Sequence, residues 1–269
     1  MMQDWIINVW GVRGSMPAPS RDFLEFGGNT ACISVDCGEA LVVFDAGSGL
    51  AALSRRLRTG RPIHLFLSHV HIDHLMGLFV FSQLHNPDAE IHLYGEARDG
   101  SSFRQQLEVL IGPPYWPVGF AGFAAAVTFH EIGPEQTLPL PGGLAVRTMR
   151  SNHPNLSLLY RLESAEKRVV YTLDCELTEE LRPRLVEFCR DADAVVWDAN
   201  FTAQDLALHP GWGHSSWEQG AAVQRDANVR LMLMTHYNQN YTDGFLREQE
   251  LLAQGPGIRF ARENMEVRL

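Results

Sequence analysis

His69-Val70-His71-Ile72-Asp73-His74 is the stretch that decides how this 269-residue chain is read. Four of its six side chains are good ligands for a divalent metal. Ahead of it, Ile63–Leu67 is a short apolar run that reads as a buried strand, and after it Leu75–Leu84 reads as a helix. The motif therefore lies on a strand-to-helix loop, where functional groups are commonly placed. His69 and His71 are two residues apart, so in near-extended backbone they point the same way. Asp73 and His74 come as the chain turns into the helix and face a second point a few ångström away. A separation of about 3.5–4 Å is usual for the ions of a two-metal hydrolytic site. A polar loop with incidental histidines is the competing reading, and it leaves the ligand-type residues downstream without an account.

Those residues follow predicted strands. His153 comes after Leu144–Arg150, inside Ser151-Asn152-His153-Pro154-Asn155; Asp174 ends Val169–Leu173; His236 ends Leu231–Thr235. A sheet fixes the geometry of groups placed at its strand ends. Singly, each is an ordinary loop histidine, cap or turn residue. Together with the motif they supply the number that two metals need. His69, His71 and His153 would hold one ion; Asp73, His74 and His236 the other; Asp174 would bridge. A nitrogen and oxygen set without thiolate suits Zn²⁺ foremost, and also Mn²⁺ or Fe²⁺.

The rest of the composition sets bounds. With 45% hydrophobic residues the chain can bury a sizeable core. Its formal net charge of −10 disfavours a long nucleic acid, whose binders usually carry a basic patch, and leaves a small anionic ligand held by metals as the expected partner. Four cysteines (Cys32, Cys37, Cys175, Cys189) show no Cys-x-x-Cys spacing and read as reduced thiols of a cytoplasmic protein. Met1–Trp10 has no basic region followed by a long apolar run, and no stretch of 18 apolar residues occurs, so neither export nor membrane insertion is expected.

Taken in order, strands are expected at Trp5–Val12, Ala31–Asp36 and Leu41–Phe44, and a helix at Leu50–Arg58. After the motif come a strand at Ile91–Tyr94 and a helix at Ser101–Ile111. The Pro/Gly/aromatic segment Gly112–Phe123 is a surface loop, a lid over the site or a dimer contact. Strands follow at Ala125–Glu131, Leu144–Arg150, Leu156–Leu162, Arg168–Leu173, Ala194–Trp197 and Arg230–Met234. Helices are expected at Thr178–Arg190, Ser216–Ala227 and Asp243–Gln254, with one or two closing strands in Gly257–Leu269. Strands then helices occur twice, without a sequence repeat or a Gly/Ser linker. The expected architecture is one domain over residues 1–269, with pseudo-halves of about 1–150 and 151–269, two mixed sheets face to face and helices outside.

His69-x-His71-x-Asp73-His74, followed by His153, Asp174 and His236 in that order, resembles the metallo-β-lactamase fold superfamily over most of the chain. The resemblance implies a four-layer αββα sandwich with a dinuclear metal site at one edge. Within the superfamily, Gly213-His214-Ser215-Ser216, Met234–Tyr241 and Phe44-Asp45-Ala46-Gly47 are similar to segments of ribonuclease Z, the tRNA 3′-processing endonuclease. Trp197-Asp198-Ala199-Asn200 stands where that family has His-Glu-Ala-Thr, and no basic insertion matches its tRNA-gripping arm. Trp10–Ser15 and Gly27–Thr30 look more like a bacterial branch of metal-dependent phosphodiesterases.

The resulting expectation is a dinuclear metal-dependent hydrolase, a phosphodiesterase acting on a small or cyclic nucleotide or a similar phosphodiester. A hydroxide bridging the metals would attack phosphorus, oriented by Asp73. His214 would protonate the leaving alkoxide. Asp198 would orient His214 or a metal-bound histidine, and Asn29 and Asn155, with Asn238, would reach the phosphate or base. His64, His85, His92, His130 and His209 lie outside the pattern, His209 alone being expected near the site. The alternatives are a lactonase- or thioesterase-like metallohydrolase and a non-catalytic scaffold. A homodimer is also compatible with the resemblance.

Overall fold

The computed structural model describes residues 4–57 and 60–269. Among these residues two seven-stranded sheets form. The first contains β1 (Ile6–Gly11), β2 (Cys32–Asp36), β3 (Leu41–Phe44), β4 (Ile63–Phe66), β5 (Glu90–Gly95) and β6 (Ala126–Glu131). The second contains β7 (Thr137–Leu140), β8 (Leu144–Arg150), β9 (Leu158–Glu163), β10 (Arg168–Tyr171), β11 (Ala194–Asp198), β12 (Met232–Thr235) and β13 (Ile258–Phe260). The last strand, β14 (Glu266–Arg268), returns to the first sheet and pairs with β1. The chain thus changes sheets between Glu131 and Thr137, earlier than the expected midpoint near residue 150, and crosses back at its end.

Each sheet is mixed. β3 to β6 are parallel neighbours, as are β10 to β13, while the remaining pairs are antiparallel. The parallel strands β3, β4, β11 and β12, none of them at a sheet edge, are fully buried runs, as strands covered on both faces must be. Between the sheets, Phe44 stacks on Tyr171 at 5.1 Å and Tyr160 at 5.7 Å, with Phe66 beside it. Truncating Phe44 here would cost about 3–5 kcal/mol in lost transfer energy and cavity. The outer face of the first sheet (Leu41, Val43, Ile63, Leu65, Ile91 and Leu93) packs under α1 (Leu50–Arg56) and α2 (Phe103–Leu110).

α3 (Arg182–Cys189) and α4 (Ala203–Leu206) pack against α5 (Trp217–Asp226), which lies on the second sheet, and α6 (Asp243–Leu252) packs against the Arg21–Phe23 turn. Ser102 and Ser216 close capping boxes with Gln105 and Gln219, which is why α2 and α5 start where they do. The expected end of the first helix at Arg58 lies outside the described residues. Helix α3 begins only at Arg182, because Pro183 is tolerated in a first turn and not further in. The strand β7 and the short α4 have no counterpart among the expected elements. β7 contains Pro139 and occupies a sheet edge, where the missing N–H is tolerated.

The expected helix at Leu75–Leu84 is replaced by 3-10 turns at Met76–Val80 and Ser82–His85. Tertiary contact overrides the helical pattern here. Gly77 donates its N–H to Ala46 O at 2.8 Å, and a Cβ at Gly77 would lie 2.1 Å from Gly47 O. The backbone after the motif is therefore clamped to the Asp45-Ala46-Gly47 turn rather than to itself. The Gly112–Phe123 segment packs as a loop on the helical layer, with Trp116 stacked on Phe79 at 5.0 Å and Phe120 buried. All four cysteines are free and buried. Among the described residues no helix is long and apolar enough to cross a membrane.

Candidate active site

β8 and β10 are each antiparallel to β9, so they run the same way, and β11 and β12 run with them. The carboxyl ends of β8, β10, β11 and β12 consequently share one edge, the place where open α/β sheets present ligand groups. His153 follows β8, Asp174 follows β10, Asp198 ends β11 and His236 follows β12. From the other sheet, Asp45 follows β3 and the His69–His74 loop follows β4. Leu158 N–H donates to Ser68 O at 2.9 Å and Tyr160 O–H to Leu67 O at 2.5 Å, stitching the two edges together beside the motif.

Among the described residues three groups of ligand-type side chains result, each with its donor atoms within 4.8 Å of one another. They are His69, His71 and His153; Asp73, His74, Asp174 and His236; and Asp174, Asp198, His214 and His236. Asp174 is central. Its Oδ1 lies 3.1 Å from His236 Nε2, and its Oδ2 is 3.4 Å from His74 Nε2 and 3.9 Å from both His69 Nε2 and His153 Nε2. Asp73 Oδ2 is 3.2 Å from His74 Nε2 and 3.7 Å from His236 Nε2.

These residues fit divalent metal ions. The buried atoms His69 Nε2, His74 Nε2, His236 Nε2 and Asp174 Oδ1 make no hydrogen bond, though leaving a buried polar atom unpaired costs about 1–3 kcal/mol. All four belong to the groups gathered around Asp174, and divalent cations held by those groups would satisfy them. The opposite ring nitrogens of two of the histidines are held, as those of metal sites usually are. His74 Nδ1 donates to Asp45 Oδ2 at 2.6 Å, and His153 Nδ1 to Gly213 O at 2.9 Å.

Electrostatics separate the groups. Burial, reinforced by mutual repulsion, pushes the pKa values of His69 and His71 down and favours their neutral imidazoles. His153 is pushed down by burial as well, against the pull of Asp174. In the second group burial opposes the charged form of His74 and His236, but the carboxylates outweigh it. Asp73, Asp174 and Asp45 raise His74, while Asp174, Asp198 and Asp73 hold His236 up at about 10. His214 is raised despite burial because its Nδ1 meets Asp198 Oδ2 at 3.0 Å.

Several supporting residues carry little or no signal in the sequence. Asp45 is fully buried and accepts from Ser68 N at 2.7 Å, Ser68 Oγ at 2.9 Å and Tyr171 O–H at 2.7 Å as well as from His74. Its one sequence signal is a place in the strand-end Phe44-Asp45-Ala46-Gly47 segment. Ser15 N–H donates to Asp73 Oδ2 at 2.8 Å. Arg98, anchored on Glu96, donates to the carbonyls of Asn155 and Leu156, two consecutive residues with left-handed φ of 61° and 65°.

Of the expected substrate residues, Asn155 stands at the rim, its Nδ2 3.4 Å from His71 Nε2. Asn29 is hydrogen-bonded within the protein. Its Nδ2 is engaged by Glu263 Oε2 at 2.8 Å and its Oδ1 by Ser48 Oγ at 3.0 Å, so it fastens the amino-terminal loop to the carboxyl-terminal segment. Asn238 donates to Asn200 at 3.3 Å. His209 stacks on Phe201 at 4.8 Å, one ring from His214.

A family model described as the beta-lactamase superfamily domain matches residues 41–237. Ribonuclease Z of Thermoplasma acidophilum is 24% identical over 88% of this chain and 87% of its own length. Human tRNase Z, short form, superposes with a TM-score of 0.73 at 18% identity, covering 97% of this chain and 98% of that one. A diphosphatase of the PhnP family superposes with a TM-score of 0.70 at 18% identity, covering 100% and 98%. The names of the first two overturn the expectation that an acidic chain disfavours a long nucleic acid. Net charge is an average over the surface, whereas a phosphate backbone responds to the local field of the groups it touches. The match over most of the chain, the two mixed sheets and the site at their shared edge place this protein in the metallo-β-lactamase superfamily, in its ribonuclease Z-like branch.

Proposed function

We propose that this protein is a metal-dependent phosphoric diester hydrolase, and that a small or cyclic nucleotide or a similar phosphodiester is its substrate. The observation that carries the reading is His214, held by Asp198 at 3.0 Å beside a histidine and aspartate cluster suited to divalent ions. The relatives' names, ribonuclease Z and diphosphatase, support chemistry at phosphorus. His69, His71 and His153 would hold one ion, Asp73, His74 and His236 a second, and Asp174 would be shared between them. Bound there, divalent ions, Zn²⁺ foremost, supply Lewis-acid stabilisation of the phosphoryl oxygens and an activated water.

The side chains do the rest. Asp73, fixed by the Ser15 N–H, orients the nucleophile and accepts its proton. Asp198 takes the Nδ1 proton of His214 as its hydrogen bond, which fixes the ring and favours its protonated form. The Nε2 proton then passes to the leaving oxygen. Asp198 also lies 3.6 Å from His236 Nδ1, so one carboxylate orients both histidines.

The test is turnover by Zn²⁺- or Mn²⁺-loaded protein of bis(p-nitrophenyl) phosphate beside p-nitrophenyl phosphate, a lactone, a chromogenic β-lactam and a short RNA. Cleavage of diesters is expected. His214→Ala should lower kcat by about 10²- to 10⁴-fold with metal content intact. The loss should be smaller for a nitrophenolate leaving group, which needs little protonation, than for an alkoxide. Turnover of the lactone or lactam alone would overturn the reading.

A further inference from the structure

We propose that Trp212 is a stacking platform for a nucleobase of the substrate, set beside the proton-donating His214. This rests on the phosphodiesterase reading above. Trp212 is 59% exposed, although a free indole surface is usually buried in a soluble protein. Its loop is nevertheless built rather than loose. The Glu176 carboxylate accepts the N–H of Gly211 at 3.1 Å and of Gly213 at 2.9 Å, so the backbone is pinned on both sides of the tryptophan. Trp212 N–H itself donates to His209 O at 3.3 Å.

The glycine after it is required. At Gly213, with φ +82°, a Cβ would lie 2.2 Å from His153 Nδ1 and 2.3 Å from Pro154 Cδ. The loop is thus seated against a residue of the metal-suited cluster. The indole meets His209 edge-on at 4.6 Å and Phe201 at 6.4 Å, and Phe201 in turn meets His214 at 6.0 Å. His209 is held by its own hydrogen bond to Asp205 O at 2.7 Å. These rings set the orientation of the indole from the protein side and leave over half of it open to solvent.

A rigid, exposed aromatic face one ring away from the candidate proton donor suits a planar group attached to a phosphate held at the cluster. A nucleobase is that group, and every base offers a face to stack. Holding the platform still in advance lowers the ordering cost of binding. The base comes either from a small nucleotide or from an RNA end, since both present the same face.

Calorimetry on Zn²⁺-loaded protein tests this with adenosine 5′-monophosphate against ribose 5-phosphate, and with a short oligoribonucleotide against the same oligomer ending in an abasic residue. The wild type should prefer the base-bearing ligand of at least one pair. Trp212→Ala should reduce that preference about 5- to 150-fold, and Trp212→Phe should restore part of it. Leu251→Ala, removing another exposed side chain, should leave it unchanged. Loss with the mononucleotide assigns a small nucleotide; loss with the oligomer alone assigns an RNA end. No preference in the wild type, or the same preference after Trp212→Ala in both pairs, overturns the proposal, including where the indole instead docks a protein. Failure of the phosphodiesterase reading shows separately, as absent turnover of bis(p-nitrophenyl) phosphate by the wild type.

Discussion

Strand β4 and the loop that follows it each belong to a group of histidines, and the two groups differ in kind. On the strand, His64 lies flat against His92 with ring centres 4.9 Å apart and 10° between planes, and His92 Nδ1 lies 2.9 Å from His130 Nε2. Stacked rings direct their nitrogens edgeways along the sheet, and His64 Nδ1 meets Tyr94 O–H at 3.0 Å. Burial, then His92 and His130, pushes the His64 pKa down to about 4. Five residues further on, His69 opens the motif, whose histidines point inward at one another with the buried carboxylates Asp45, Asp73, Asp174 and Asp198 among them. Histidine number alone therefore says little. Convergent nitrogens at strand ends, with buried carboxylates between them, separate a metal-suited cluster from a packed ladder.

The sharpest way to break this contrast is Asp174→Ala. It removes the carboxylate that would be shared by the two proposed ion positions, so metal content measured by plasma mass spectrometry should fall and diester hydrolysis should drop roughly 10³-fold or more. His64→Phe should alter neither, and loss of metal in that variant would erase the distinction.

Asp45→Asn sharpens the comparison from inside the cluster. Asp45 touches no candidate ion position directly but holds His74 Nδ1 at 2.6 Å. Metal affinity by chelator competition should weaken about 10- to 100-fold, the usual cost of losing such an orienting partner. An unchanged affinity would mean that His74 needs no orientation.

The smallest effect concerns the ladder and acid. His64 is neutral in the folded state down to about pH 4, whereas in the unfolded chain it protonates near 6.5. Its contribution is thus complete above pH 6.5 and is lost as the pH falls towards 4. Between pH 7.5 and pH 5 this amounts to about 2 kcal/mol. Urea midpoints should show the loss in the wild type and a flatter profile in His64→Phe. Equal slopes would show that other groups govern the acid response.

Much of the fold and of the candidate site is legible in the amino-acid order. Alternating and continuous apolar runs mark most strands, and histidine and aspartate residues just past them mark the edge where they gather. The 3-10 turns after the motif are not legible, because the pattern of Leu75–Leu84 is helical and only the contact of Gly77 with the Ala46-Gly47 turn defeats it. Nor is β7, a four-residue edge strand containing a proline.

Local sequence was enough for the fold class and for the candidates on the His69–His74 loop, since both depend on spacing within a few residues and on which face of a strand those residues occupy. Tertiary structure alone decided that Asp45 reaches His74 and Tyr171, that Asn29 is taken by Glu263, that β14 crosses back to β1, and that Trp212 is held beside Phe201. Most of those pairings span tens to hundreds of residues, and periodicity carries no record of which distant partner a side chain will meet.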